Sequence, residues 1–501
     1  MKKLLKFTTI FLFCVCFFGV IAYAATQGDP TGATKQTVNE IGKNASLDDV
    51  AKTAASTKIG LNYVWMILCG CLIFFFQAGF AMVETGFTRA KNANHTVAMN
   101  LVVFLVGLVG FLVMGFAIMF GGVGDAPVYA LGGHMPLDKE FALGGWGLFG
   151  YKGFLLAGAA YDVGVFVYFF FQMVFMDTAC TIPTGGVAER VKFSAVILNS
   201  LFISAIYYPL YGNWVWGGGW LSQLGTKLSL GHGVVDFAGS SVVHAMGGAA
   251  ALAGAIIIRP RIGKFDKNGK ATAIPGHHIP MAVIGTIILF FGWFAFNGGS
   301  TLAGNDLRSA IVIVNTMIAG AFGGLVAMFY VWKRYGKPDT SMTCNGALAG
   351  LVAITAPCAF VNSISAIIIG SIAGLLVCVA VSIIENKFKI DDPVGASSVH
   401  LVNGLWGMIA LGLFSDGTYG DGLNGVAGGV KGLFYGDPGQ LFAQLIAVAV
   451  VIVFGVGSQL LFWKITDKTM GIRVKAEDEI TGLDIPEMGA LAYNEFEQKT
   501  L

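Results

Sequence analysis

The sequence carries few charged residues. Only 12% of its 501 residues are Asp, Glu, Lys or Arg, against about 25% in an average soluble domain. Hydrophobic residues make up 55% of the chain, and the mean hydropathy is +0.72. These values exclude an ordinary soluble globular protein and predict a chain embedded in a lipid bilayer. The formal net charge of +2 is too small to indicate a nucleic-acid partner.

Cysteine offers no sign of cross-linking or metal chemistry. None of the eight cysteines is spaced as a CxxC pair, and two of them, Cys14 and Cys16, fall in the leader described below. The others lie in or beside apolar runs, as small packing residues do. We therefore expect no disulfide framework, no metal site and no cofactor. The absence of a paired nucleophile and base also argues against an enzyme.

The first 24 residues have the features of a signal peptide. Lys2, Lys3 and Lys6 precede an apolar run, and a motif of small residues ends at Ala24. The alternative is an uncleaved first span. We predict a signal peptide at 1–24, an extracytoplasmic segment at 25–58, a membrane domain at 59–463 and a cytoplasmic tail at 464–501.

Apolar runs of about 20 residues, enough to cross a bilayer, recur through the membrane domain. Glycine supplies 70 of the 501 residues, about twice its usual share, and small residues allow spanning helices to pack closely. The prediction is an all-α polytopic membrane protein with about eleven spans. They run at roughly 60–83, 99–121, 163–184, 194–211, 238–258, 280–297, 309–332, 343–359, 362–384, 396–414 and 441–463.

The loops between these spans alternate in their content of basic residues. One set carries fourteen Lys and Arg residues and the other carries five. The positive-inside rule places the richer set in the cytoplasm. We therefore predict a mature N-terminus outside and a tail inside, in the inner or plasma membrane of the cell.

Two distant segments, 236–248 and 392–404, have six identical residues in 13 positions. Each contains a histidine, His244 or His400, eight residues after an aspartate, which is about 12 Å along a helix. The predicted topology makes the two helices antiparallel, so both imidazoles reach a similar depth near the membrane midplane. Spans 1–5 and 6–10 then form an inverted repeat, with an eleventh helix outside it.

A histidine inside a membrane span is costly and often marks a transport pathway. Neutral imidazole is both a donor and an acceptor, so His244 and His400 in contact could relay a proton. The alternative is two core histidines that bond to backbone carbonyls. Asp236 and Asp392 begin their helices, where a carboxylate caps free N–H groups. We expect both to be mainly structural, with Asp236 also able to lend negative potential to an outer vestibule.

Several motifs together resemble the ammonium transporter family, which comprises the Amt, methylammonium permease and Rh proteins. The resemblance covers nearly all of residues 60–495 and is greatest to bacterial-type Amt proteins. It implies a homotrimer in which each subunit has its own pore for ammonium or ammonia. The matching segments are 77–82, 89–92, 185–190, 236–244, 292–297 and 391–400.

The resemblance also implies roles for individual residues. It implies an outer substrate site of Trp216, Phe175, Phe171 and Ser300, and a gate of Phe175 and Phe296. The pore histidines are His244 and His400, and the supporting residues are Asp236, Trp293 and Asn297. Two features depart from the family pattern. The loop from Trp216 to Asp236 is longer than in compact bacterial members, and Asn345 stands where some members have a vestibule serine.

These assignments agree with the chemistry of the cation. Cation–π attraction to each aromatic face stabilises the cation by about 0.5–2 kcal/mol. That is far less than the free energy needed to move a bare charge from water into hydrocarbon. Ammonium can lose a proton and cross as ammonia, whereas potassium cannot. A dehydrating aromatic gate above a histidine pair therefore predicts selectivity by deprotonation. The alternative for the aromatic residues is ordinary packing, since the chain has 40 Phe.

The tail resembles the cytoplasmic regulatory element of the same family, in the stretches 470–474 and 477–487 and at Tyr493. That resemblance implies coupling between subunits and a possible PII-type signalling partner; the alternative is a solvated tail. Three functional classes follow. The first is an ammonium channel or transporter, the second is an ammonium sensor that signals through its tail, and the third is an Rh-type gas channel, which Trp216 argues against.

Overall fold

A computed structural model describes residues 46–124, 136–418, 420, 422 and 424–493. The predicted signal peptide at 1–24 lies outside these residues. The described chain folds mainly into ten long helices and one shorter one, numbered α1 to α11. They are Leu47–Phe87, Ala90–Phe120, Val163–Val187, Phe193–Trp216, Ser240–Ile258, Ile279–Gly299, Arg308–Tyr335, Thr340–Ile354, Ser363–Asn386, Ser397–Phe414 and Pro438–Met470.

The predicted all-α membrane fold is confirmed, although several helix ends differ from the predicted spans, most notably at the eighth. Ten helices are long and apolar enough to cross a membrane, whereas α8 has only 15 residues, or about 22 Å. The sequence predicts the eighth span at 343–359, but the helix begins and ends earlier. Its continuation, from Thr355 to Val361, is almost wholly buried and non-helical. Irregular backbone is tolerated there because surrounding protein covers it.

Between α2 and α3 the described residues form one short hairpin. Strand β1 (Glu140–Leu143) pairs antiparallel with β2 (Trp146–Gly150). The first helix begins at Leu47, so the part of the predicted extracytoplasmic segment that the structure describes is already helical. Ser46 caps it by accepting a hydrogen bond from the backbone N–H of Asp49.

The two matched sequence motifs fold alike. Each begins its helix, α5 or α10, with a π-helical turn that contains the histidine, at Ser240–Ala245 and Ser397–Val402. Each turn follows a glycine with positive φ, +109° at Gly239 and +79° at Gly395. Such a backbone favours glycine, which has no Cβ to clash. The shared residues thus specify the same local structure twice.

The same motifs hold α5 and α10 together through a reciprocal pair of glycines. A Cβ added to Gly248 would collide with the backbone of Leu401, and one added to Gly404 would lie 2.9 Å from the backbone nitrogen of Ala245. Each glycine therefore packs on the residue after the other helix's histidine. This approximate two-fold relationship agrees with the predicted inverted repeat.

The segment after α11 packs against one end of the helical bundle, here called the tail side. It contains two short helices, α12 (Ala476–Thr481) and α13 (Asp484–Met488). Asp484 accepts hydrogen bonds from the backbone N–H groups of Asn94 and His95 at the start of α2. Glu487 does the same for Phe193 at the start of α4. The described part of the tail, up to residue 493, thus caps helices of the membrane domain rather than extending into solvent.

A network of buried charges underlies the tail. Arg261 forms ion pairs of 2.8 Å with both Glu189 and Asp391, and Arg89 pairs with Glu189 at 2.7 Å. Burial alone would raise the pKa of Glu189, but Arg261 and Arg89 overcome it and lower that pKa to about 2. Burial would also raise the pKa of Asp391, but Arg261 and Arg190 hold that pKa below its usual range. Both carboxylates therefore remain ionised.

Candidate substrate pathway

A pocket lies at the end of the bundle opposite the tail side, and we call it the aromatic pocket. It offers about 130 Å³ to the centre of a water-sized molecule. Five of the residues that the sequence assigns to the outer site, the gate or a supporting role line it: Phe171, Phe175, Trp216, Asp236 and Ser300. The structure thus brings together side chains from α3, the end of α4, the loop before α5 and the end of α6.

Trp216 and Ser300 are each held by one hydrogen bond to a backbone carbonyl. The indole Nε1–H of Trp216 donates to Asp236 at 2.6 Å, which fixes the ring at the pocket wall. The hydroxyl of Ser300 donates to Phe296 at 2.8 Å. Its only hydrogen is therefore used, and its oxygen can still accept a hydrogen bond from a cation in the pocket.

Phe175, which lines the aromatic pocket, stacks on Phe296. The rings of Phe175 and Phe296 lie 4.0 Å apart between centroids and 28° from parallel. Both side chains are almost fully buried. Trp216 meets Phe175 edge-on at 6.1 Å, and Phe171 is tilted against Phe175 at 4.9 Å. A cation in the pocket would be next to several aromatic rings.

Directly beyond the stacked rings lie the two histidines. The Nδ1 atoms of His244 and His400 are 3.2 Å apart, so one imidazole must donate a hydrogen and the other must accept it. The ring of His244 stacks on Trp293 at 4.8 Å and 19°, and lies 5.5 Å from Phe296. Both imidazoles are buried, and the Nε2 of His244 has no hydrogen-bond partner among the described residues.

Asp236 has little capacity left to bind a ligand. Its two carboxylate oxygens accept hydrogen bonds from the backbone N–H groups of four successive residues, Gly239 to Val242, and from the hydroxyl of Ser241. It therefore fixes the π-helical turn that carries His244. Asp392 does the same for the other motif by accepting from Ala396 and Ser397.

The two supporting residues on α6 are held by hydroxyl groups of neighbouring segments. Trp293 donates to Thr355, just after the end of α8, at 2.8 Å. Asn297 donates to Thr316 of α7 at 2.9 Å. These bonds fix the helix face that carries Phe296 and stacks on His244.

One helix contributes three side chains that sequence reasoning did not single out. Phe76, Phe80 and Glu84 of α1 follow one another at intervals of four residues, which places them on one helix face. Phe76 stacks on Phe296 at 5.2 Å and 7°, and Phe80 lies 5.9 Å from His400. The spacing alone could have identified this face, but nothing in the sequence says that it is the one turned towards the histidines.

Beyond His400, towards the tail side, lies a second and smaller space, here called the Glu84 cavity. His400, Glu84 and Asn345 line it among apolar side chains. Asn345, at the position where some members of the family have a serine, donates to the carbonyl of Val394 at 3.1 Å. The order along the molecule is therefore aromatic pocket, stacked phenylalanines, histidine pair and Glu84 cavity.

Residues 64–493 match the model of the Ammonium Transporter Family. The chain is 45% identical to ammonium transporter Amt2 of Archaeoglobus fulgidus, over 96% of this chain and 95% of that protein. Among solved structures, one described as a sensor Amt protein is 35% identical, with a TM-score of 0.75 over 86% of this chain and 99% of its own. Candida albicans Mep2 is 26% identical, with a TM-score of 0.71 over 87% of this chain and 90% of its own.

These matches span nearly the whole membrane domain and the tail, and they come from both sequence and structure. They assign the chain to a class of integral membrane transporters and not to an enzyme class. The chain belongs to the ammonium transporter family.

Proposed function

We propose that the chain takes up ammonium by separating it into ammonia and a proton at the stacked phenylalanines. Ammonium binds in the aromatic pocket against Trp216 and Phe175, with Ser300 accepting one of its hydrogen bonds. Ammonia then passes Phe175 and Phe296, and the histidine pair carries the proton. The observation that supports this most is the 3.2 Å contact between His244 and His400, directly beneath the stacked rings.

The physical basis is the cost of dehydrating an ion. Aromatic faces supply about 0.5–2 kcal/mol each, so the aromatic pocket can attract ammonium but cannot carry its full charge through an apolar passage. Loss of a proton removes that cost for ammonium. Potassium has no proton to lose, so it stays in the pocket although its size is similar.

The site also suggests how the molecule lies in the membrane. We propose that the aromatic pocket faces outside and the tail side faces the cytoplasm, as the distribution of basic loop residues indicates. We further propose an inner or plasma membrane location, cleavage of 1–24, and a homotrimer with one pathway in each subunit. A PII-type protein would dock on the tail side.

Current measurements on proteoliposomes adsorbed to a solid-supported membrane test the proposal. An ammonium concentration jump should evoke an inward positive current, and an equal potassium jump should evoke none. Equal currents for the two cations would contradict selectivity by deprotonation. The absence of an ammonium current, with ammonia flux retained in a stopped-flow pH assay, would indicate a gas channel instead.

A second candidate function is ammonium sensing through the tail. One similar structure is described as a sensor Amt protein, and here Arg473 of the tail donates to the carbonyls of Ile258 and Pro260 at the end of α5. Since α5 carries His244, substrate binding could change how the tail is held. Sensing without transport predicts that ammonium alters hydrogen exchange in residues 476–488 while no ammonium flux is measured.

A further inference from the structure

The Glu84 cavity lies next to the histidine pair and is of molecular size. It offers about 20 Å³ to the centre of a water-sized molecule, enough for about one such molecule. Its wall is apolar except for His400, Asn345 and Glu84. A molecule of ammonia or ammonium that has passed His400 would therefore next meet a carboxyl group and an amide.

The position of Glu84 follows from the helix that carries it. Phe76 lies at the level of the stacked rings and Phe80 at the level of His400, and each further step of four residues advances about 6 Å along α1. Glu84 is one such step beyond Phe80. The same face of α1 thus presents two aromatic rings and then an acid along the route that the substrate would take.

Glu84 is buried, with 2% of its surface exposed, and its hydrogen-bond partners lie on the side away from the cavity. It accepts hydrogen bonds from Thr184 at 2.8 and 2.9 Å and from Asn100 at 2.9 Å. The hydroxyl of Thr184 also lies 2.5 Å from the carbonyl of Thr181, so its single hydrogen is contested. In the part of the chain that the structure describes, no cationic side chain forms an ion pair with Glu84.

A buried carboxylate without a cation is costly. One explanation is purely structural, with a carboxyl group that links α1 to α2 and α3 through Asn100 and Thr184. A glutamine of the same shape has one acceptor oxygen for Asn100 and Thr184 and carries no buried charge. An acid is needed only if its charge or its proton is used, and the cavity beside it has the size of the transported molecule.

We propose that Glu84 forms an inner substrate site at which ammonia leaving the histidine pair is reprotonated and held as ammonium before release. This inference rests on the proposed function. The ionised carboxylate first takes the proton that the imidazoles relay from the aromatic pocket. The protonated carboxyl then gives that proton to ammonia, which forms ammonium and restores the carboxylate. Proton and charge balance, because one ammonium is split at the gate and one is formed at Glu84.

Three substitutions separate this role from a structural one. Glu84→Gln keeps the shape and one acceptor oxygen for Asn100 and Thr184 but removes the acid, whereas Glu84→Asp keeps an acid with a shorter reach. Thr184→Val removes a hydrogen-bond partner of Glu84 and leaves the acid in place. All three are reconstituted in proteoliposomes, and ammonium-evoked currents are compared at equal amounts of folded protein.

We expect Glu84→Gln to lower the ammonium current by about tenfold or more, because a positioned acid–base group contributes about 100-fold or more to proton transfer. Glu84→Asp should recover part of the current, and Thr184→Val should retain most of it. An unchanged current in Glu84→Gln overturns the proposal. So does an equal loss in Thr184→Val and Glu84→Gln, since the effect would then be structural.

A binding measurement keeps this test separate from that of the proposed function. Infrared difference spectra of reconstituted protein, with ammonium against potassium, should contain a carboxyl band that is lost in Glu84→Gln. If the unaltered protein carried no ammonium current, the proposed function would fail, and this band would still decide whether ammonium reaches Glu84. A spectrum that is identical in the Glu84→Gln variant overturns the inner site.

Discussion

Gly248 of α5 packs directly on the backbone of Leu401 of α10, in the residue pair that brings the two histidine-bearing turns together. The contact leaves no room for a methyl group. The helices can approach this closely only because position 248 carries no side chain. Their approach brings the Nδ1 atoms of His244 and His400 within hydrogen-bond distance of each other.

Gly248→Ala is therefore expected to separate the imidazoles without abolishing the fold. The inserted methyl group forces α5 and α10 apart, at a cost of about 1–3 kcal/mol in stability. We expect the ammonium current to fall by about tenfold or more while the protein still elutes as one species from size exclusion, since a lost proton relay costs about 100-fold or more. Gly457→Ala is the matched control, because Gly457 is also helical and has open space around it. Equal currents in the two variants would contradict the role of this contact.

The aromatic pocket is tested by Trp216→Leu. The substitution removes one aromatic face from the pocket, and the lost cation–π attraction of about 0.5–2 kcal/mol corresponds to a rise of about 2- to 30-fold in the half-saturating ammonium concentration. Concentration–response curves of the proteoliposome current measure this shift. Trp220→Leu serves as the control, since Trp220 packs on Trp214 and does not line the aromatic pocket. An unchanged half-saturating concentration in Trp216→Leu would remove the indole from the binding site.

The buried charges on the tail side predict how stability depends on pH. The pKa of Glu189 is about 2 in the folded chain, below its ordinary value of 4.5, so its ionised form stabilises the fold at any pH above 4.5. That contribution is lost as the pH falls from 4.5 towards 2. Asp391, whose pKa is also lowered, adds in the same direction.

We therefore expect the melting temperature of the detergent-solubilised protein to fall steadily between pH 4.5 and pH 2. Glu189→Gln should lower the melting temperature at neutral pH and show a weaker dependence over the acid range. Glu477→Gln is the control, because Glu477 is exposed and its ion pair with Lys475 is long, at 3.7 Å. An acid profile of Glu189→Gln as steep as that of the unaltered protein would contradict this assignment.

The sequence predicts most of the architecture because hydropathy and loop charge respond directly to the membrane. It also predicts the meeting of His244 and His400, because the two motifs share their spacing and their antiparallel direction. It does not predict the short α8, since apolar residues from Thr355 to Val361 are buried without being helical. Hydropathy does not distinguish a buried non-helical segment from a membrane-spanning helix.

The rotation of each helix is the other property that the sequence leaves open. Phe80 and Glu84 are recognisable as neighbours on α1, but only tertiary packing turns that face towards His400 rather than towards lipid. The contacts of the tail cannot be predicted from the sequence for a similar reason. Asp484 meets the start of α2, almost 400 residues earlier in the chain, through backbone groups that carry no sequence signature.

The proposed function requires the two imidazoles to carry the proton that ammonium loses. Solid-supported-membrane recordings of His244→Ala and of His400→Ala, each reconstituted as folded protein, test it most directly. We expect an ammonium jump to evoke no sustained current in either variant, because the 3.2 Å contact between the rings is lost in both. Currents equal to those of the unaltered protein in both variants would contradict it.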